Sequence, residues 1–443
     1  MEGKLFFNRE LSLLAFHKRV LSLASKSSLP VMERLRYLCI SATNVDELFE
    51  VRVGGLIEII ERGNGNSVMS DGLTAVETKQ MVSNEAHAFV DRQYDILNTE
   101  LIPALSQHGL HILKRDQWDD EHKRYLKHLF MTDVLPLLSP IGLDPAHPFP
   151  RILNKSLNFI VHLSGKDAFG RDSGLAIVPA PRSLPRLIKV PREILPDGDN
   201  FVFLSSVIHA YVEEFFPGMS VTECHQFRVT RNSDLEMSNV EVEDFAMALK
   251  GELHSRRFGA ATKLEVGAEC PSQLTNFLLD RFDLTQEELF TLDGPVNLQR
   301  LMSLFGMVDR PDLRFPKFTP GLPKVLEEHQ SIFTAVSRED QLLLHPYESF
   351  LPVIDWVRQA AKDPSVLSIK QTLYRTNESS ELVQALAEAA RFGTEVTVVI
   401  ELRARFDEEE NINFASILQE AGAVVVYGVM GYKTHAKMLL FVR

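Results

Sequence analysis

The 443-residue sequence predicts a multidomain protein of α and α/β type: an N-terminal helical bundle (1–109), an α+β middle domain (110–320) and a C-terminal parallel α/β domain (321–443). Three observations carry this. Apolar residues recur at helical spacing through the first stretch. The pattern then shifts to short apolar runs separated by proline-rich segments. From about position 345, β-forming runs alternate with helical ones. The length agrees, since about 150 residues per domain gives about three domains.

In the first stretch, Asn8 is placed to cap a helix through Leu11, Leu14, Phe16 and Val20. A second helical pattern starts at Pro30, a residue suited to a first helical turn. It carries Leu35, Leu38, Leu48, Val51, Val53 and Ile57 and breaks at the GNGN of 63–66. A third covers Leu73 to Leu105. In the middle stretch, strands are expected at 157–163, 175–178 and 227–230, and helices at 203–216, 240–251 and 271–281. DPAHPFP (144–150) and PAPRSLP (179–185) separate some of them, and 310–323 reads as a linker or extended arm. The last stretch reads as a helix at 349–362, a strand at 366–374, a helix capped by Ser379 or Ser380 and ending near Gly393, a strand at 395–401, a helix from about 408 to Gly422, and strands at 423–428 and 437–442. Strand–helix–strand alternation of this kind makes a parallel sheet. The sequence stops directly after an apolar strand, so a truncated protein is expected.

Composition excludes several classes. Hydrophobic residues make up 45% and charged residues 24%, ordinary for a globular chain. No apolar run approaches the ~20 residues that span a bilayer. The formal charge of −13 repels long polyanions, so a phosphate-handling site has to be a local basic cluster. Cys39, Cys224 and Cys270 form no CxxC, which argues against a zinc ribbon or disulfide framework and fits a cytoplasmic location. P-loop, GxGxxG and GxSxG signatures are missing. The 28 phenylalanines fall at core spacings, not as a stacking platform for nucleic acid.

The strongest chemical candidate is THAKMLLF (434–441). His435 and Lys437 stand two apart on an expected strand, hence on one face. A neutral imidazole can attack phosphorus while an ammonium holds the phosphoryl oxygens. The same triplet also describes an edge strand with a solvated lysine. The second candidate is RARFDEEENINF (403–414). Arg403 and Arg405 lie at the C-terminal end of one strand and Arg375 just past another, the edge where open α/β sheets bind ligands. Guanidiniums there suit phosphate; equally, Arg405 could pair with the acids at 407–410. His345, in LLLHPYESF, suits either a site loop or a helix entry. His147 suits a turn. In TNVDELFEVR (43–52), Asn44 and Asp46 sit near an expected helix break, where capping is the plain explanation.

Taken together, FNRELSLLAFHKRVL (7–21), SATNVDELFEVRV (41–53), DPAHPFPRILNKSLNF (144–159), FRVTRNSDLE (227–236), LLLHPYESF, LSIKQTLYRT (367–376), ELRARFDEEENI (401–412) and THAKMLLF follow one another as in a known family. The chain resembles bacterial polyphosphate kinase of the phospholipase D-related type over its whole length. The resemblance implies a C-terminal phospholipase D-like domain that is incomplete here, with a second catalytic histidine beyond residue 443. It implies reversible transfer of the terminal phosphate of ATP to inorganic polyphosphate through a phosphohistidine at His435, with Lys437 beside it. The family assigns Mg²⁺ to the positions of Arg375 and Arg405. A guanidinium has no lone pair to give a metal, so these arginines are read as gripping the phosphates that hold it. The family's ATP contact matches Asn44. ATP/ADP and polyphosphate are the implied partners, with no nucleic acid; a homo-oligomer is expected, and association with a membrane surface is left open. Two alternatives stand beside this: a phospholipase D-like phosphodiesterase, weakened because Val442 occupies that motif's aspartate position, and a non-catalytic fragment that binds nucleotide or assembles. The 443 residues alone are expected to be inactive.

Overall fold

The computed structural model describes residues 6–144, 148–166, 174–193, 198–233, 258–324, 326, 331–375, 380–402, 404, 407–428 and 432–443. The helix expected at 240–251, and His147, lie outside these residues. The described residues form two compact units, one running up to Pro316 and the other from Lys317.

The first unit begins with the expected helices. Helix α1 (Arg9–Ser22) is capped by the Asn8 side chain, which accepts from Leu11 N at 2.9 Å. Helix α2 (Val31–Glu47) follows Pro30, and α3 (Ala75–Asp95) opens on a reciprocal cap between Thr74 and Glu77. No break follows Asp46. The helix runs on through a π-wound segment, Leu48–Val53, into Gly54–Ile59. Gly54 has an ordinary helical φ; its value is space, because a Cβ there would lie 2.6 Å from Asn232 Oδ1.

Strands β1 (Leu110–Leu113), β5 (Leu187–Val190) and β6 (Asp199–Phe203) make a small sheet in the order β1-β6-β5. A larger sheet joins β2 (Ile141–Gly142), β3 (Asn158–Ser164), β4 (Leu175–Pro179), β7 (Ser220–Arg231), β8 (Ala261–Gly267) and β9 (Leu289–Leu292) in the order β2-β4-β3-β7-β8-β9. All its pairs are antiparallel except β8 with β9. One hydrophobic core runs from the helices into the sheets: Leu35, Leu38 and Phe89 are buried in the same cluster as Phe159, Phe201 and Val207. A second core lies between the large sheet and helix α4 (Ser272–Phe282), where Phe227, Leu264 and Leu278 pack.

A closed ring of charges is buried within this unit. The Arg228 guanidinium on β7 donates to both Asp46 carboxylate oxygens at 2.8 Å and to Glu265 at 2.5 Å. Lys263 Nζ donates to the same two acids at 3.2 and 3.0 Å. All four residues are buried. Two positive and two negative groups cancel, and each partner meets the hydrogen-bonding needs of the others, which makes such burial tolerable. Asp46 is therefore a tie between α2 and the sheet, not a helix cap.

In the second unit, helices α5 (Leu351–Lys362), α6 (Glu381–Arg391) and α7 (Glu408–Glu420) accompany a four-stranded sheet. Its strands are β10 (Ser368–Leu373), β11 (Glu395–Ile400), β12 (Val424–Tyr427) and β13 (Leu439–Val442), in the order β12-β11-β10-β13. Ser380 caps α6, accepting from Val383 N; Ser379 lies outside the described residues. The first three strands are parallel, as expected, but β13 runs antiparallel to β10, so the sheet is mixed. The physical reason is the connection. A parallel return needs a crossover of a dozen or more residues, normally a helix, and none of the described residues between Tyr427 and Leu439 is helical.

Candidate active site

Three parallel strands end at one edge of the second unit's sheet. β10 runs straight into Tyr374 and Arg375, β11 into Glu401, and β12 into Gly428. Because β13 is antiparallel, the residues that precede it arrive at that same edge. Ligands bind at this edge in open α/β sheets.

Residues 434–438 are not part of β13, contrary to the expected strand from 437. They are held irregularly by side chains of the neighbouring strands. Thr372 Oγ1 donates to Ala436 O at 2.7 Å and accepts from Met438 N at 2.8 Å. Thr434 N donates to the buried Glu401 carboxylate at 2.6 Å. His435 thus sits between two anchored neighbours. Asn411, in the first turn of α7, is buried and donates to Tyr374 O and Glu401 O at 3.0 and 2.9 Å, tying the ends of β10 and β11 together.

The strand-face argument for bringing His435 and Lys437 together therefore does not apply, yet the two meet by another route. The His435 ring stands edge-on to the Tyr374 ring, with centroids 4.7 Å apart. Lys437 Nζ lies 4.3 Å from the Tyr374 centroid, Lys433 Nζ 5.2 Å and Arg375 Cζ 5.7 Å. Lys437 Nζ also donates to His435 O at 2.6 Å. One aromatic ring gathers three cations around the exposed histidine. At exposed positions each such contact contributes about 0.5–1 kcal/mol. With Asp407 paired to Arg375 and Glu401 bonded to Thr434 N, the cluster keeps a small excess of positive charge at a place open to solvent, which suits an anionic group beside an imidazole.

Arg375 also donates through Nε to Asp407, at 2.5 Å, just ahead of α7. The acidic run thus pairs with Arg375; Arg403 and Arg405 lie outside the described residues. Asn44 is in the first unit, half-buried on α2. His345 is explained by helix entry: its Nδ1 lies 2.9 Å from Glu348 O and its ring against Phe350. Sequence reasoning missed Tyr374, Thr372, Glu401 and Asn411 as site-forming residues. The available signal was position, since Tyr374 and Glu401 directly follow β10 and β11. Among the described residues no three His, Cys, Asp or Glu side chains converge as a metal site.

Three family models match the chain in order: the polyphosphate kinase N-terminal domain over 6–113, the middle domain over 121–304 and C-terminal domain 1 over 331–443. The chain belongs to the polyphosphate kinase family. Among curated relatives, the polyphosphate kinase of Pseudomonas syringae pv. tomato is 53% identical over 442 residues, all of this chain and 60% of the relative. That of Pseudomonas aeruginosa is also 53% identical, with 64% of the relative covered. The polyphosphate kinase of Neisseria meningitidis serogroup B is 51% identical over 435 residues, 98% of this chain and 63% of the relative. The chain thus spans about three-fifths of the length of these polyphosphate kinases. In fold it matches the crystal structure of polyphosphate kinase from Porphyromonas gingivalis, with a TM-score of 0.79, 27% identity, and 98% of this chain and 61% of that one covered. No helix among the described residues is long and apolar enough to cross a membrane.

Proposed function

We propose that the chain carries the phosphohistidine centre of a polyphosphate kinase, moving the terminal phosphate of ATP reversibly onto inorganic polyphosphate. An imidazole nitrogen of His435 attacks the γ-phosphorus. The P–N bond forms as the bridging P–O bond breaks, and ADP leaves with the electron pair. In the second half, a terminal oxygen of the polyphosphate chain attacks the same phosphorus, the P–N bond breaks, and the polymer is one unit longer. Lys437 and Arg375 stabilise the charge on the transferring group, and Arg405 joins them. Arg375 and Arg405 grip phosphates, and Mg²⁺ is carried on those phosphates, because a guanidinium has no lone pair to give a metal. Asn44 contacts ATP. Three domains, 1–109, 110–320 and 321–443, a homo-oligomeric state and a cytoplasmic location complete this reading.

The observation that supports it is the convergence of His435, Lys437, Lys433 and Arg375 on Tyr374. The test is incubation of the intact protein with γ-labelled ATP. The expected outcome is an acid-labile label that disappears in His435→Ala, together with polymer synthesis. A label retained in that variant, or polymer made without it, refutes the reading.

A further inference from the structure

Two chains of contact run to His435 from a single side-chain amide. Asn411, in the first turn of α7, is 1% exposed, and its Nδ2 donates to Tyr374 O at 3.0 Å and to Glu401 O at 2.9 Å. Along one route, the Tyr374 ring meets the His435 ring with centroids 4.7 Å apart. Along the other, the buried Glu401 carboxylate accepts from Thr434 N at 2.6 Å, one residue before the histidine. The register of β10 with β11 ends at Leu373 and Ile400, so Tyr374 and Glu401 are the first residues beyond it. The amide takes over where that pairing stops. Its –NH2 carries two donors on one planar group, and here they bridge acceptors on two different strands. A carboxylate in the same place offers no donor at all.

We propose that Asn411 is a positioning residue for the phosphoryl transfer. Being buried, it does not meet the phosphate; it sets the spacing of Tyr374 and Glu401, and through both of them the aim of the His435 imidazole. This rests on the phosphohistidine reading given above. A misplacement of about 1 Å in such a nucleophile costs about a hundredfold in rate, so the amide acts on the chemical step and not on the binding of ATP.

The experiment uses the intact protein with Asn411→Asp, which keeps the shape but replaces the donors by acceptors, and with Asn411→Ala, which removes them without burying a charge. Leu418→Ala, at a buried position further along α7, is the control for loosened packing alone. Rapid-quench labelling from γ-labelled ATP is read as a rate constant per labelled site, so unfolded protein does not enter it. Both Asn411 variants are expected to label about tenfold to a hundredfold more slowly at saturating ATP. Their half-saturating ATP concentration is expected to stay within about twofold, and the Leu418→Ala rate likewise. A second readout needs no turnover. In protein labelled with ¹³C-histidine, the Cε1–H resonance of His435 is identified by its loss in His435→Ala, and the ring current of Tyr374 displaces it. In both Asn411 variants it is expected to move toward its position in Tyr374→Leu, and in Leu418→Ala to stay. Parental rates in the Asn411 variants, an equal loss in Leu418→Ala, or an unmoved resonance overturns the proposal. A parent protein that takes up no label sinks the phosphohistidine reading instead, and the resonance then still decides whether Asn411 places the ring.

Discussion

The Tyr374 ring meets the His435 ring at 72°, edge to face, 4.7 Å between centroids. The same phenol carries the Lys437 ammonium at 4.3 Å. Replacing it by leucine removes the cation–π contacts of three side chains, each about 0.5–1 kcal/mol. Tyr374→Leu is expected to slow phosphoenzyme formation about tenfold or more. Tyr374→Phe keeps the π face and is expected to stay within about threefold. Rapid-quench measurement of the labelled enzyme checks both; equal losses in the two variants would mean that the hydroxyl, not the ring, is what counts.

Thr372 holds the histidine segment by accepting from Met438 N and donating to Ala436 O. Thr372→Val keeps the shape and loses both bonds. The expected cost is about 1–2 kcal/mol in stability, read by urea titration, with a fall in kcat at nearly unchanged KM. Unaltered kcat would show that His435 is positioned by other means.

Asp46→Ala leaves Arg228 and Lys263 buried with one acid fewer. A loss of about 3–5 kcal/mol is expected, as for other broken buried pairs. The acid dependence has a definite sign. Burial alone would raise the Asp46 carboxyl, but the charges of Arg228 and Lys263 more than reverse it and hold it well below the usual range. A depressed native value contributes stability above the unfolded pKa of about 4 and loses it as pH falls further. Denaturant midpoints should therefore decline below about pH 4 in the parent chain, and less steeply in Asp46→Asn.

His209 is held down to about 4 by burial and by the neighbouring Arg115. The unfolded imidazole takes up its proton near 6.5, so unfolding is favoured as pH falls from about 6.5 through 4. His209→Gln is expected to flatten that part of the stability profile. A profile unchanged between pH 7 and 4 would contradict the assignment.

Much of the architecture was legible because it rests on local signals. Asn8 and Ser380 announce helix starts by side chains that reach only three residues ahead. Apolar alternation marks β10 and β11 for the same reason. The direction of β13 was not legible, since periodicity says where a strand lies and not which neighbour it joins. His435, Lys437 and Arg375 were singled out by chemistry and by the strand-end rule. Their meeting on Tyr374 was invisible, because it depends on an irregular segment shaped by Thr372 and Glu401 across more than thirty positions of sequence. Asp46 was misjudged as a cap for a related reason: its partner Arg228 is 182 positions away.

That separation has a consequence for how the chain is made. When Asp46 leaves the ribosome, the guanidinium it needs has not yet been translated. At about 5–20 residues per second the wait is roughly 10–40 s. Through that interval the acid stays solvated, and the face of the helix that carries it cannot close into the interior until Arg228 and the sheet arrive.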